Sequence, residues 1–339
     1  MKRSGATIRS DCLLWVLPPL ISAAVALALH WNTLQNEFVW DDRAAVTNNM
    51  DVRGETPLSS LLVNDFWGQG MHLDDSHKSY RPVAVLSLRL NFMWGGLDPF
   101  SYHAVNLALH ALSTAMVAFL AAVLASAHEA ASTGGGAGGE ETGAVAVGTV
   151  SGLVSGVVFA CHPVHVEPVA SVVGRADLLC GAASLAALLF YLKAHFPLRP
   201  FGEPRGPAAK GWPWRRAALE VAALGLAAVS SFAKEVGVTT FGLFVCCEIV
   251  EGACAASPPP DSEHWRFGDN SSTSVVRAAR VVGGLVAAFF CRLKGADGRV
   301  PAGSGGGGAA GAAGRVARAV GGAALVVAVH LSLHGDTTM

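Results

Sequence analysis

Glu37-Phe38-Val39-Trp40-Asp41-Asp42 sets two adjacent carboxylates a few residues behind an apolar segment. Such a pair is costly unless it is solvated or partnered. One of the two acids, with its pKa held above that of a free Asp, can take the proton of a hydroxyl as a general base. Read alone, an Asp-Asp step is more often a solvated turn. Downstream, Asp65-Phe66-Trp67-Gly68 and then His77-Lys78-Ser79-Tyr80-Arg81-Pro82 bring cations beside a second apolar stretch. Arg binds phosphate as a fork and Lys as a point charge, and the same run can serve as anchoring to lipid headgroups. His162-Pro163-Val164-His165-Val166-Glu167-Pro168 holds metal-type residues, but Pro163 and Pro168 break a helix there. The helical geometry of an HExxH zinc site is therefore missing, and orienting a substrate or a loop is the better use of His162, His165 and Glu167. Gly174-Arg175-Ala176-Asp177 opens the next apolar run, where Asp177 can cap a helix. Lys234-Glu235 is a charged pair at the junction of two more.

The elements that must position these residues are membrane helices. Of 339 residues, 52% are hydrophobic and only 14% charged, against about 25% charged in soluble domains. Mean hydropathy is +0.43. This excludes a water-soluble enzyme of one or two domains and an extended disordered chain. A net charge of −1 leaves no basic excess for nucleic acid. The expected fold is all-α, a polytopic helical membrane protein with about eight spans. The seven cysteines include no CxxC pair, so they read as small buried hydrophobes rather than a zinc or redox site.

Spans are expected near residues 12–30, 103–127, 144–161, 177–192, 217–233 and 236–250, with two weaker ones near 275–291 and 316–333. Lys2, Arg3 and Arg9 precede the first, which marks a signal anchor with a cytosolic N-terminus, and Ala26-Leu27-Ala28 offers the rival reading of a cleavage site. The basic loop 193–216 falls on the same cytosolic side by count, so residues 31–102 face the lumen. Pro82 to Trp94 carries Arg89 and is too short to span; it reads as an interfacial helix anchored by Trp94. The organisation is therefore 1–30 anchor, 31–102 first lumenal loop, 103–250 transmembrane core, and 251–339 a cytosolic loop with the two weaker spans. The sequon at Asn270 lies on the cytosolic side, and Gly-rich runs at 134–139 and 305–308 are connectors. Spans two, three and five hold no mid-membrane acid or base beyond His110, so an ion or proton pathway is disfavoured and a site at the lumenal face is favoured.

The order of the clusters resembles the N-terminal membrane portion of the transmembrane and tetratricopeptide repeat-containing O-mannosyltransferases. That family's NxFVxDD element is matched by Asn36 to Asp42, its DFWG by Asp65 to Gly68, and its SHKSYRPL-like element by Ser76 to Val83. Its PxxxHxxNxxLH stretch is matched by Pro99, His103, Asn106 and His110. HPVHxEAV and GRADLL elements are matched by His162 to Val169, with Pro168 in place of Ala, and by Gly174 to Leu179. KExG is matched by Lys234 to Gly237. The tetratricopeptide half of the family has no counterpart, and the chain is expected to end short of it.

The resemblance implies an inverting GT-C transferase in the endoplasmic reticulum membrane. Such an enzyme moves mannose from dolichyl phosphate mannose to Ser or Thr hydroxyls of secretory-pathway proteins, with no cofactor. Asp41 or Asp42 is then the base, with Asp42 the weak preference. Lys78, Arg81, Arg175 and Lys234 are the candidates for the donor phosphate. His77, His162, His165, Glu167 and Glu235 would position substrate. Fixed cations at the phosphate make a metal unnecessary. Two other readings stay open on the residues: a membrane adaptor or fragment without catalysis, and a transferase of this class for another sugar or acceptor.

Overall fold

The computed structural model describes residues 5–132, 139–195, 213–255 and Arg318. Both Gly-rich runs, most of the basic loop 193–216, the Asn270 sequon and the spans expected beyond residue 275 lie outside the described residues. The described chain is helical throughout, with one isolated bridge between Asn64 and Gly70. Helices α1 (Gly5–Leu29), α2 (Met50–Arg53), α3 (Pro82–Gly95), α4 (Pro99–Ser132), α5 (Gly139–Cys161), α6 (Val166–Ala170), α7 (Arg175–His195), α8 (Pro213–Ala233) and α9 (Thr239–Ala255) follow in order. Short tight turns at Trp31–Gln35, Arg43–Thr47, Leu58–Leu62, Pro163–His165 and Glu235–Val238 link them. The chain divides into two compact units at Thr240/Phe241; α9 belongs to the second from Phe241 onward.

Among the described residues, four helical segments are long and apolar enough to cross a membrane: Pro99–Glu129, Gly143–Cys161, Arg175–His195 and Trp214–Ala233. Trp15–Leu29 is apolar but shorter. The protein is thus an all-α polytopic membrane protein, with these spans close to the expected bounds. The N-terminal helix carries Pro18 and Pro19 in its interior, which membrane helices tolerate when neighbours satisfy the freed backbone groups.

What draws α1, α4 and α5 together is a spacing of small residues. Gly148, Gly152 and Gly156 lie four apart on α5. A Cβ on Gly152 would stand 2.7 Å from the Ala118 carbonyl oxygen and 2.9 Å from the Ala122 Cβ. One on Gly156 would run into the Ser22 hydroxyl and the Ala118 Cβ. Close backbone approach of this kind replaces the hydrophobic drive that is missing between helices in lipid. The valines Val147, Val150, Val154 and Val158 take the opposite, exposed face. Gly152→Leu should therefore force α4 and α5 apart, at roughly 1–3 kcal/mol for an overpacked contact. The check is thermal stability of the detergent-solubilised protein; a melting temperature equal to the parent's would refute the packing argument.

The first long loop folds into a cap. Ala45, Val46, Val52, Leu61 and Phe66 of the loop bury themselves with Ala84, Val85 and Leu88 of α3, Tyr102 of α4, and Val172 and Ala176 at the start of α7. Pro82 at the first turn starts α3, where its missing N–H costs nothing. Arg89 explains its own presence in an apolar helix: it donates to the carbonyls of Asp51 (3.2 Å) and Thr56 (2.9 Å) in the cap. The far face of α3 leaves Leu86, Leu90, Met93 and Trp94 exposed, the last at 80%.

Candidate active site

Asp42 and Asp41 sit in opposite environments. Asp42 is wholly buried, while Asp41 is exposed. The Asp42 carboxylate accepts from the Val39 amide (3.3 Å), the Val173 amide (3.0 Å) and the Ser171 hydroxyl (3.3 Å). It thereby ties the first loop to the junction before α7. The turn between is tight: Asp42 N donates to the Val39 carbonyl, and Trp40, 91% exposed, has φ +41. A side chain in that region is strained and persists only where its surroundings hold it.

The junction itself is compact because Gly174 lies against Pro168, whose backbone a Cβ would strike. Beside it, Arg175 is turned fully inward. Its Nε donates to Asn106 Oδ1, its Nη1 to Ser87 Oγ (3.0 Å), and its Nη2 to Asn91 Oδ1 (3.1 Å) and the Tyr102 carbonyl (2.9 Å). All four acceptors are neutral. Expected at a phosphate, Arg175 is instead the bolt that joins α3, α4 and α7. Asn106 completes the joint by donating to the Ser171 carbonyl (2.8 Å).

The remaining cations divide. Lys78, with φ +61, spends its ammonium on the Met71 and Leu73 carbonyls (2.6 Å each) and closes its own loop. That loop is organised by buried Asp65, which accepts from Trp67 N, Gln69 N, Ser76 Oγ and His77 N. Within it Gly68, at φ +84, leaves no room for a Cβ against Asn49. His77 is exposed beside Trp67, with ring centroids 6.2 Å apart. Arg81 lies over the Phe66 ring, 5.3 Å from its centroid, and its Nε meets Glu235 at 3.1 Å. Lys234 Nζ meets Asp177 at 2.6 Å. These two pairs dock the 234–235 turn onto both the cap and the start of α7. From below, Ser230 on α8 bonds to Ser184 (2.7 Å), which also bonds to Thr240 (2.7 Å), and holds the same turn.

Polar clusters that lie far apart in the sequence are therefore one assembly. It runs from the 37–42 turn through Ser171–Asp177 to Lys234–Glu235 and back to Arg81. The residues that sequence reasoning missed as its fasteners are Ser87, Asn91, Ser171 and Ser230, which carry no motif of their own.

His162, His165 and Glu167 stand apart, Glu167 being exposed. The histidines form a ladder from the surface inward: His162 to His165 (6.0 Å), His165 to His110 (5.1 Å) and His110 to His30 (4.8 Å), measured between ring centroids. Phe159 packs on His165 at 4.1 Å. Among the described residues, no group of three or more His, Cys, Asp or Glu is placed to hold a metal. Burial, then the charges of His162 and His30, push the His165 pKa below its ordinary value. The folded state thus favours the neutral ring. That contribution to stability is complete above the unfolded pKa of about 6.5 and is lost as pH falls through the lower folded value. Melting temperature should fall between pH 7 and pH 5, and His165→Phe, which keeps the stack on Phe159, should flatten that fall. Identical slopes in the two proteins would remove His165 as the cause.

No family model matches the chain, and no solved structure does. Curated proteins do match it. It is 36% identical over 229 residues to protein O-mannosyl-transferase tmtc2 of Xenopus laevis, covering 67% of this chain and 23% of that protein. Against human protein O-mannosyl-transferase TMTC4 it is 35% identical over 241 residues, 69% of this chain and 30% of the other. Against Drosophila melanogaster protein O-mannosyl-transferase Tmtc2 the figures are 34% over 275 residues, 81% and 24%. The chain is a TMTC relative. It spans less than a third of the length of these TMTC proteins.

Proposed function

We propose that the chain is the membrane portion of a TMTC-type protein O-mannosyltransferase, which moves mannose from dolichyl phosphate mannose to Ser or Thr hydroxyls of secretory-pathway proteins, with inversion, at the lumenal face of the endoplasmic reticulum membrane. The observation that carries this reading is the convergence, on one assembly, of an acidic turn with two partly exposed cations. The names of the TMTC relatives support protein mannosylation. The lipid-linked donor rests on the family resemblance and on the chemistry of the cations.

In this reading Asp41, exposed and so open to a hydroxyl, takes the acceptor proton, and buried Asp42 holds the turn. This reverses the weak preference for Asp42, because a wholly buried carboxylate that already accepts three protein hydrogen bonds is not open to a substrate hydroxyl. The acceptor oxygen attacks the anomeric carbon as the bond to the phosphate oxygen breaks, and the lipid phosphate leaves with its charge. Arg81 uses only its Nε on Glu235, so both Nη groups can fork a phosphate. Lys234 adds a point charge held in place by Asp177. These fixed cations stabilise the charge as it develops, and no metal is called for. The exposed row Leu86, Leu90, Met93 and Trp94 on α3 suits a helix lying in the interface.

The test is transfer of labelled mannose from dolichyl phosphate mannose to a Ser/Thr peptide by the full-length protein in nanodiscs. Arg81→Ala should raise the donor KM about tenfold or more, the loss of a charged hydrogen bond, with a smaller change in the peptide KM. Absence of transfer by the parent protein with this donor, alongside transfer with another lipid-linked sugar, would overturn the sugar assignment. An Arg81→Ala effect confined to the peptide KM would overturn the phosphate role.

A further inference from the structure

Two kinds of cation stand around the assembly. Those with a structural task take neutral partners: Arg175 donates to Ser87, Asn91, Asn106 and the Tyr102 carbonyl, and Lys78 to the Met71 and Leu73 carbonyls. The two that stay open to a ligand are each matched with a carboxylate instead. Arg81 Nε lies 3.1 Å from Glu235, and Lys234 Nζ lies 2.6 Å from Asp177. The two positive and two negative charges cancel. A site built only to grip an anion keeps its cations free of counter-charge, so the matched carboxylates weaken the grip.

Holding the 234–235 turn accounts for little of this. Partly exposed ion pairs add little to stability, and the side chains of Glu235 and Asp177 are 43% and 45% exposed. The turn has fasteners of its own. Gly237 lies so close to Ser230 that a Cβ would strike its backbone, and Lys234 N donates to the Ser230 carbonyl (3.1 Å). Both carboxylates are also more open than the cations they face, which are 18% and 28% exposed. An arriving phosphate meets their field together with that of the cations.

The reaction changes the charge on which this field acts. In the donor the phosphate is a diester with a single negative charge. Transfer forms the bond between the acceptor oxygen and the anomeric carbon and breaks the bond from that carbon to the phosphate oxygen. The acceptor proton goes to Asp41, and the electron pair of the broken bond stays on the phosphate oxygen. The spent lipid is a phosphomonoester, with a charge of about −1.5 to −2 at pH 7. Cations without counter-charge would hold that product more tightly than the donor.

We propose that Glu235 and Asp177 form a charge filter, which lets the donor phosphodiester bind and drives the spent phosphomonoester out. This rests on the reading of Arg81 and Lys234 as the phosphate ligands. A phosphate forked by the two Nη groups of Arg81 shares its guanidinium with Glu235 on Nε. The charge gained in the reaction therefore falls beside a fixed carboxylate, and like charges at short range repel. Product release limits turnover in many enzymes, and a site that loosens on its own product shortens that step.

The test is binding of two probes to the full-length protein in nanodiscs: a polyprenyl monophosphate, and the methyl diester of the same lipid phosphate. Glu235→Gln keeps an acceptor for Arg81 Nε and loses the charge. It should tighten the monophosphate about fivefold relative to the methyl diester, the effect of one open charge pair. Asp177→Asn should shift the ratio the same way from the Lys234 side. Glu235→Asp, which keeps the charge, should leave the ratio at the parent's value. Arg81→Ala should weaken both probes. In the transfer assay, Glu235→Gln should be inhibited by the monophosphate at about fivefold lower concentration than the parent. If either amide leaves the ratio unmoved, or weakens both probes equally, the proposal is overturned and the carboxylates are fasteners of the turn. That result leaves the phosphate reading standing as long as Arg81→Ala weakens both probes. Binding of both probes unaffected by Arg81→Ala would overturn the phosphate reading, and the charge filter with it.

Discussion

Asp41→Asn should lower mannose transfer about 10²–10⁴-fold, the usual contribution of a general base, and leave the protein folded. The amide keeps the shape of the carboxylate but cannot take the acceptor proton. Because Asp41 is exposed, the substitution removes no internal contact, and both melting temperature and hydrogen exchange of the turn should match the parent. Asp42→Asn should behave differently. An amide there places an NH2 group against one of the Val39, Ser171 and Val173 donors, so the tie between the cap and the junction weakens, and transfer is lost together with protection of the turn. The measurement is kcat in the transfer assay beside exchange for each variant. Transfer by Asp41→Asn at near the parent rate would show that the acidic pair is a solvated turn with no part in the chemistry.

The second large effect is on the fold. Arg175→Leu removes the donor group that Ser87, Asn91, Asn106 and the Tyr102 carbonyl share. Leaving a buried polar group unpaired costs about 1–3 kcal/mol each, and some of the four can rearrange. A total of about 4 kcal/mol or more is expected, which for a chain of this size corresponds to a melting temperature lower by roughly 10 °C. Arg175→Lys keeps the charge but offers three donors on a point instead of a planar fork, so it should recover only part of the loss. Thermal unfolding followed by size-exclusion chromatography in detergent is the readout. A melting temperature within about 2 °C of the parent for Arg175→Leu, below the shift of even one lost buried bond, would mean that the cap and the spans hold together without this residue.

Much of this architecture could be read from the chain alone. Membrane spans announce themselves by length and hydropathy, and α4, α5, α7 and α8 lie within a few residues of the expected bounds. Arg89 marked 82–94 as something other than a span, and the structure shows the physical reason in its bonds to Asp51 and Thr56. The polar clusters and their order were visible as motifs. What spacing could not show was which members face a substrate and which face one another. Arg175 and its partners Asn106, Asn91 and Ser87 are separated by 69 to 88 residues, and no local pattern distinguishes an inward Arg from an outward one. Asp41 and Asp42 are neighbours of the same type, and only the arrival of Ser171 and Val173 from far along the chain separates their roles. The small-residue face of α5 was legible in principle from Gly148, Gly152 and Gly156, but within a generally Gly- and Ala-rich chain it does not stand out.

The bonds from Asp42 to Val173 span 131 residues, and those from Arg81 to Glu235 span 154. A ribosome adds about 5–20 residues each second. The 37–42 turn therefore emerges roughly 7–26 s before the segment that seals it. Through that interval Phe66, Val46 and Leu88 have no Val172 or Ala176 to cover them, and the carboxylate of Asp42 has only its own turn. Maturation of the 37–42 turn is thus tied to the clock of synthesis: a translational pause placed between the codons for residues 42 and 173 should lengthen the association of nascent chains with chaperones, while the same pause after residue 235 should not.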